Sequence, residues 1–348
     1  MSNEQLRVGV VGAGANTCTK HLPGLQAIPG VEIVAVANRS IESGRKVAER
    51  FGIPRVANSW GDVISAQDVD AVVIGTWPCL HAEVSIAALE AGKHVLCEAR
   101  MAMDLLQAKR MLEVSRRHPK LVAQVVPSPF TFSVDATIRR FLAEGRLGRL
   151  LTIDVADHRA GFPDYGAPLH WREDRSRSGL NVMSLGIWYE SVMRWVGSAE
   201  SVQAAGAIFV RERREVETGT LRPLDIPDWI TVTARMRCGA VAHFSVRTAG
   251  GLVPRRECVL TGGEGSLQSD FEALSFGRRG DKGMAPVDIP AHERSAWHVE
   301  QDFVDAIRGL APVRLTTFED GVRYMAFTQA VADSLTTGRP QPVEEIPG

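Results

Sequence analysis

Residues 7–17 read RVGVVGAGANT, an apolar run that ends directly in Gly12-Ala13-Gly14. A short run of this kind reads as a strand buried on both faces. Glycine at 12 permits a tight turn, and glycine at 14 lets the backbone approach a pyrophosphate held at a helix N-terminus. Thr17 stands where the third glycine of that fingerprint falls. The loop follows a strand and opens a strand–helix–strand unit, so Gly12, Gly14, Ala15, Asn16 and Thr17 are candidate dinucleotide contacts. Pro23 implies that the first helix is short or broken into two pieces.

The same pattern continues outward to about residue 125. Apolar runs at Glu32–Ala37, Ala71–Ile74, His94–Cys97 and Leu121–Val125 alternate with helix-period segments at Arg45–Phe51, Glu83–Ala91 and Leu105–Arg117. Buried strands alternating with helices predict an α/β fold, a parallel, doubly wound Rossmann sheet over residues 1–125. Past Pro127 and Pro129 the pattern changes. A helix over Ser133–Glu144 precedes strands at Leu150–Asp157, Val202–Arg211, Ile230–Arg237, Ala240–Arg247 and Arg256–Thr261, and helices return at Val299–Arg308 and Glu319–Thr336. The two strands flanking Cys238-Gly239 read as an antiparallel hairpin. Residues 126–348 are expected to form an α+β domain, with a mostly antiparallel, open-faced sheet covered by helices on one side.

Composition narrows the function. A chain of 348 residues exceeds one ordinary core, which agrees with two domains. The net charge of −1 gives no electrostatic reason to expect nucleic acid or an anionic membrane as partner. Arg211, Arg213 and Arg214 are interleaved with Glu212, Glu215 and Glu217, the pattern of a solvated face or loop. Five scattered cysteines suit a reducing compartment. With no export signal and no run near the ~20 apolar residues of a bilayer span, a cytoplasmic protein is expected. His21, His94, His118, His243, His292 and His298 form no metal set with nearby carboxylates, so no metal is expected.

The tip of the second strand bears on the cofactor. An acid there would bind ribose hydroxyls and repel a 2′-phosphate. This sequence has Asn38-Arg39-Ser40 instead, where Arg39 offers a planar, always-charged fork and its neighbours offer neutral donors. NADP is favoured over NAD, the alternative being a turn whose arginine points into solvent.

Four segments, VGVVGAGANTCTKHLPGL, TWPCLHAEVSIAALEAGKHVLCEARMA, SGLNVMSLGIWYESVMRWVG and TTFEDGVRYMAFTQAVADSLTTGRP, together resemble the glucose–fructose oxidoreductase / inositol dehydrogenase / MocA (Gfo/Idh/MocA) family. The resemblance implies a nicotinamide held by the first domain and a sugar or cyclitol substrate between it and the second sheet. It implies hydride transfer to or from a carbinol or carbonyl carbon, and subunits paired through the open sheet, as a dimer or tetramer. Members usually carry Glu-Lys-Pro after the fourth apolar run and Asp-x-Gly-x-His on the first helix of the second domain. Here Glu98 is kept, but Ala99 and Arg100 replace the lysine and proline. Ser184-Leu185-Gly186-Ile187-Trp188 keeps only the glycine. Both usual proton-handling groups are missing.

Replacements are sought nearby. Arginine holds its proton, so Arg100 can orient an anion or polarise a carbonyl but cannot act as a base. The glycine- and proline-rich stretch from His158 to Arg172 holds Tyr165 and His170, the candidate acid/base groups, and Trp171 and Arg172, which the resemblance places on the substrate side. Trp188 and Tyr189 flank the absent histidine and are candidate substrate contacts, although Met183, Ile187 and Trp188 also fit a core stripe. Thr76, Trp77, His81 and Glu98 complete the expected cofactor pocket. The expectation is an NADP-dependent oxidoreductase with a non-standard proton donor. Its alternatives are internal redox by a tightly bound nicotinamide in a lyase or epimerase reaction, and a non-catalytic binding homologue.

Overall fold

The computed structural model describes residues 5–346; residues 1–4 and 347–348, at the outer ends of the expected domains, lie outside the described residues. The chain forms two compact units: residues through Pro127 with His298–Val322, and Ser128–Trp297 with the residues from Arg323 onward.

In the first unit β1 (Leu6–Val11), β2 (Val31–Ala37), β3 (Arg55–Val56), β4 (Ala71–Ile74), β5 (His94–Cys97) and β6 (Ala123–Val125) form one sheet in the order β3-β2-β1-β4-β5-β6. Every neighbouring pair is parallel. β4 is buried along its whole length, as its continuous Ala-Val-Val-Ile run requires. The strand order reverses between β1 and β4, which puts the Gly12–Gly14 loop at the switch point where open α/β sheets bind ligands. Helices α1 (Leu22–Gln26), α2 (Ile41–Phe51), α3 (Trp60–Ser65), α4 (Pro78–Glu90) and α5 (Leu105–Arg117) connect the strands. The first helix is interrupted: a π turn over Thr17–His21 runs into the five-residue α1, with Pro23 at its start.

Residues 298–322 join this unit for a physical reason. β6 is an edge strand, and an uncovered edge leaves a row of unpaired backbone groups. Leu315–Thr317 closes that edge: Val125 N donates to Thr316 O at 2.9 Å, Gln124 Nε2 donates to Leu315 O at 2.9 Å, and Gln124 faces Thr317 antiparallel.

The second unit holds α6 (Asp135–Ala143), β7 (Leu150–His158), α7 (Arg175–Ser178), α8 (Leu185–Val196), β8 (Ala199–Ala207), the small ribbon β9 (Glu212–Arg214) with β10 (Leu221–Pro223), and then β11 (Trp229–Met236), β12 (Val241–Arg247), β13 (Arg255–Gly262), β14 (Gly265–Ser269), β15 (Leu274–Arg278) and β16 (Ala285–Pro286). With a last strand at Gln341–Pro342 the main sheet has nine members, in which only β7 and β12 run parallel. β11 and β12 form the expected hairpin, and Gly239 supplies the left-handed turn at φ +90°. One sheet face, including Ile153, Val155, Val232, Phe244 and Leu260, is buried. Tyr189 of α8 stacks on Phe327 at 3.7 Å and Phe244 meets Phe327 at 5.8 Å, so these rings lock helices to that face. The other face carries Asp154, His243, Ser245, Arg247, Arg255 and Glu257 around a shallow hollow of about 420 Å³.

Candidate functional site

The glycine loop is tight on one side and open on the other. Gly12 holds φ +84°, and a Cβ there would lie 2.7 Å from Thr76 N. Around Gly14 the nearest neighbour of such a Cβ is Gly75 O at 3.9 Å, so the protein leaves that position clear. A clear backbone at the switch point fits a pyrophosphate group. Ala15 and Asn16 continue the loop and are exposed. Thr17 is buried, and its hydroxyl donates to Gly12 O at 3.1 Å. It braces the turn at the position of the missing glycine.

At the tip of β2, Asn38 Oδ1 accepts from Ala13 N at 2.6 Å, and Ser40 caps α2 by accepting from Ser43 N at 3.2 Å. These oxygens hold the loop and the helix in place. Arg39 is exposed, with its guanidinium 5.4 Å from the Trp77 ring. That contact settles the arginine against the loop after β4, the loop in which Thr76 Oγ1 donates to Trp77 O.

Glu98 leaves the end of β5 into a buried charged chain. Its Oε1 accepts from Asn16 Nδ2 and lies 3.0 Å from His21 Nε2, while Oε2 accepts from Ala99 N at 3.1 Å. The other side of the ring, His21 Nδ1, lies 2.5 Å from Glu300 Oε1. Burial alone would lower the pKa of His21, but the bonds to Glu300 and Glu98 outweigh it and raise it to about 9. Burial would raise Glu98, yet His21 and then Asn16 hold it down at about 2. An imidazolium thus sits between two carboxylates. Gly24 makes the space, since a Cβ there would meet Glu300 Oε2 at 2.7 Å. Sequence reasoning missed His21 and Glu300. Glu300 lies 279 residues from its partner, on α9 (Val299–Ile307), and carries no local signal.

His81 is fully buried, with Nδ1 2.8 Å from Arg100 O and Nε2 3.0 Å from Thr76 O. The ring ties the loop after β4 to the loop after β5, and burial lowers its pKa. Arg100 is half-buried on the second of these loops.

In the second unit the stretch from His158 to Arg172 is gathered by one arginine. Arg213 donates to Asp164 O at 2.7 Å, to Ala167 O at 3.1 Å and to Glu173 Oε1 at 2.9 Å. Its side chain is 11% exposed, so this member of the arginine cluster is a clamp and not part of a solvated face. Tyr165 is 70% exposed. His170 Nδ1 accepts from Arg172 N at 3.2 Å. The partly covered ring has its pKa lowered, by that cover and by the Arg172 charge. It is therefore neutral at pH 7, and with Nδ1 accepting, the ring proton resides on Nε2. Arg172 stacks on Trp171 at 4.1 Å.

Trp188 and Tyr189, the candidate substrate contacts beside the absent histidine, are both packed into the interior of the second unit. Trp188 is fully buried and donates from Nε1 to Asp157 Oδ2 at 2.9 Å, an oxygen that also accepts from Ser184 Oγ at 2.5 Å. Tyr189 is fully buried, its hydroxyl accepts from Ala199 N at 2.9 Å, and burial pushes it up to about 12. The residues in place of the aspartate and histidine have become a packed, internally satisfied pair. Among the described residues no group of three or more His, Cys, Asp or Glu is arranged to hold a metal ion, and no helix is long and apolar enough to cross a membrane.

A parallel Rossmann-type sheet with a clear backbone at its switch point is thus followed by a mostly antiparallel sheet covered on one side. Residues 6–125 match the Gfo/Idh/MocA oxidoreductase family with its NAD-binding Rossmann fold, and residues 136–268 match the Gfo/Idh/MocA C-terminal domain. The chain belongs to that family. An uncharacterized oxidoreductase of Rhizobium meliloti is 29% identical over 56% of this chain and 57% of its own length. A 1,5-anhydro-D-fructose reductase of Ensifer adhaerens is 26% identical over 97% of this chain and 98% of its own. Among solved structures, levoglucosan dehydrogenase in complex with NADH and L-sorbose superposes with a TM-score of 0.86 at 25% identity, over 98% of this chain and 99% of that one.

Proposed function

We propose that this chain is a nicotinamide-dependent oxidoreductase acting on a carbonyl or carbinol carbon of a small sugar- or cyclitol-like, or carboxylated, substrate. The observation that carries the reading is the clear backbone at Gly14 on the β1/β4 switch point of a chain in this family. When bound, the nicotinamide supplies or accepts a hydride. Gly12 to Asn16 would hold the dinucleotide, with Thr17, Asn38, Ser40, His81 and the His21–Glu98 chain fixing the surrounding backbone. NADP is the preferred form: the β2 tip carries no acid to repel a 2′-phosphate, and Arg39 offers a guanidinium there. Changing Arg39 to Ala is expected to weaken NADPH binding at least tenfold while changing NADH little. Parallel titrations check this, and equal losses for both cofactors would remove the arginine from 2′-phosphate recognition.

Ala99 leaves the reacting oxygen without the family lysine, and a reductase can take its proton elsewhere. Neutral His170 would polarise that oxygen through its Nε2–H, and Tyr165 has an exposed hydroxyl that could pass on a proton drawn from water. His170→Ala is expected to lower kcat at least tenfold with KM for the cofactor unchanged. A variant with full kcat would take His170 out of the mechanism. Ala99 also favours a second reading, internal redox by a tightly held nicotinamide. NADPH consumption in step with product supports net reduction, and product without consumption supports internal redox. The open face of the nine-stranded sheet is the surface through which a dimer or tetramer would form.

A further inference from the structure

The second unit carries an arginine that is braced but unpaired. Arg256 of β13 lays its guanidinium carbon 4.4 Å from the Phe130 ring centroid, 4.9 Å from Phe271 and 5.9 Å from Trp188. The three rings pack on one another, Phe130 to Trp188 at 5.1 Å and Trp188 to Phe271 at 4.3 Å. Two of them are fixed by hydrogen bonds. Trp188 is held by Asp157, and Phe271 accepts from Ser133 Oγ at 2.6 Å while its N–H donates to Ser269 Oγ at 3.0 Å. Phe271 keeps this position at φ +84°, a region that bulky side chains rarely occupy.

The carboxylate opposite Arg256 is engaged elsewhere through one of its oxygens. Asp157 faces Arg256 across the β7–β13 ladder, but its Oδ2 is turned inward onto Ser184 and Trp188. The next arginine along, Arg255, is paired with Glu257. Among the described residues Arg256 makes no ion pair, although the residue is exposed. Stacking uses the flat faces of a guanidinium and leaves its N–H edge pointing outward, with five donors in a fixed fork. A fork oriented in advance loses little freedom on binding an anion. Because a single guanidinium rests on these rings, the matching charge is a monoanion taken bidentately, as a carboxylate is.

We propose that Arg256, braced on Phe130, Trp188 and Phe271, is the receptor for a carboxylate on the substrate, which makes the substrate a sugar acid. This rests on the oxidoreductase reading and narrows its substrate class. The test is calorimetric titration of the full chain, wild type against Arg256→Gln and Arg256→Lys. The probes are D-glucuronate, D-galacturonate and D-gluconate beside the neutral D-glucose, D-galactose and sorbitol, with NADPH titrated first in each sample. Wild type is expected to bind at least one acid tenfold or more tighter than its neutral counterpart. That preference disappears in Arg256→Gln and falls partway in Arg256→Lys, which keeps the charge but loses the fork. Thermal melting of both variants checks that they fold. No preference in wild type, including no binding of any acid, or a preference that survives in a folded Arg256→Gln, overturns the proposal. NADPH binding with no acid preference sinks this inference alone. If NADPH does not bind, NADH is titrated in its place; if neither binds, the oxidoreductase reading fails, and the acid preference is judged by the same comparison on cofactor-free protein.

Discussion

Replacing His21 with leucine is expected to destabilise the protein by roughly 3–5 kcal/mol, because it strips the cation from a buried carboxylate, Glu300, and a part-buried one, Glu98. Glu98 and Glu300 both point at His21, at 3.0 and 2.5 Å, and the leucine would leave them facing each other across an apolar side chain. Denaturant unfolding of the full chain reads the loss, and a midpoint within error of wild type would contradict the charged chain. The pH dependence has a definite sign. The folded-state pKa of about 9 lies above the ordinary value of 6.5, so the stabilisation from His21 is complete below about pH 6.5 and is lost as pH rises through 9. Glu98, held at about 2 against an ordinary 4.5, contributes fully above pH 4.5 and loses its contribution as pH falls toward 2. His21→Gln, which cannot titrate, is expected to lack the alkaline decline between pH 6.5 and 9 that wild type shows.

Gly14→Val is expected to leave stability nearly unchanged and to reduce dinucleotide affinity by a hundredfold or more. A Cβ at Gly14 meets nothing closer than 3.9 Å, so the fold does not need the glycine. The need comes from a ligand whose pyrophosphate must touch the backbone. Gly12→Ala separates the two causes. Its φ of +84° and its 2.7 Å approach to Thr76 N make that change a structural lesion, which should lower the melting temperature whether or not cofactor is present. If Gly14→Val binds NADPH and NADH as wild type does, the loop is a turn and not a cradle.

Much of the first sheet was legible in the sequence, because strands buried on both faces leave unbroken apolar runs: Ala71–Ile74 and His94–Cys97 are β4 and β5 to the residue. β3 was not, since the pair Arg55–Val56 is too short to show a period. Nor did the sequence reveal that residues 298–322 belong with the first unit. The edge they cover at Gln124–Val125 lies about 190 residues earlier in the chain, beyond any local pattern. The glycine loop and the β2 tip were readable because turn chemistry is local. The burial of Trp188 and Tyr189 was not legible, because it depends on Asp157 and Phe327, from distant elements. Of the stripe Met183, Ile187 and Trp188, only Trp188 is core; the other two are half-buried. Arg256 gave none, because an arginine at the start of a strand reads as an ordinary solvent-facing end until the three rings beneath it are assembled.

The most direct test of the central claim is a fluorescence titration of cofactor-stripped protein with NADPH and with NADH. Saturable binding of nicotinamide dinucleotide, tighter for NADPH and lost in Gly14→Val, is the result the account predicts. Failure of both dinucleotides to bind at millimolar concentration would contradict it, and would mean that this Rossmann sheet has kept its shape without its ligand.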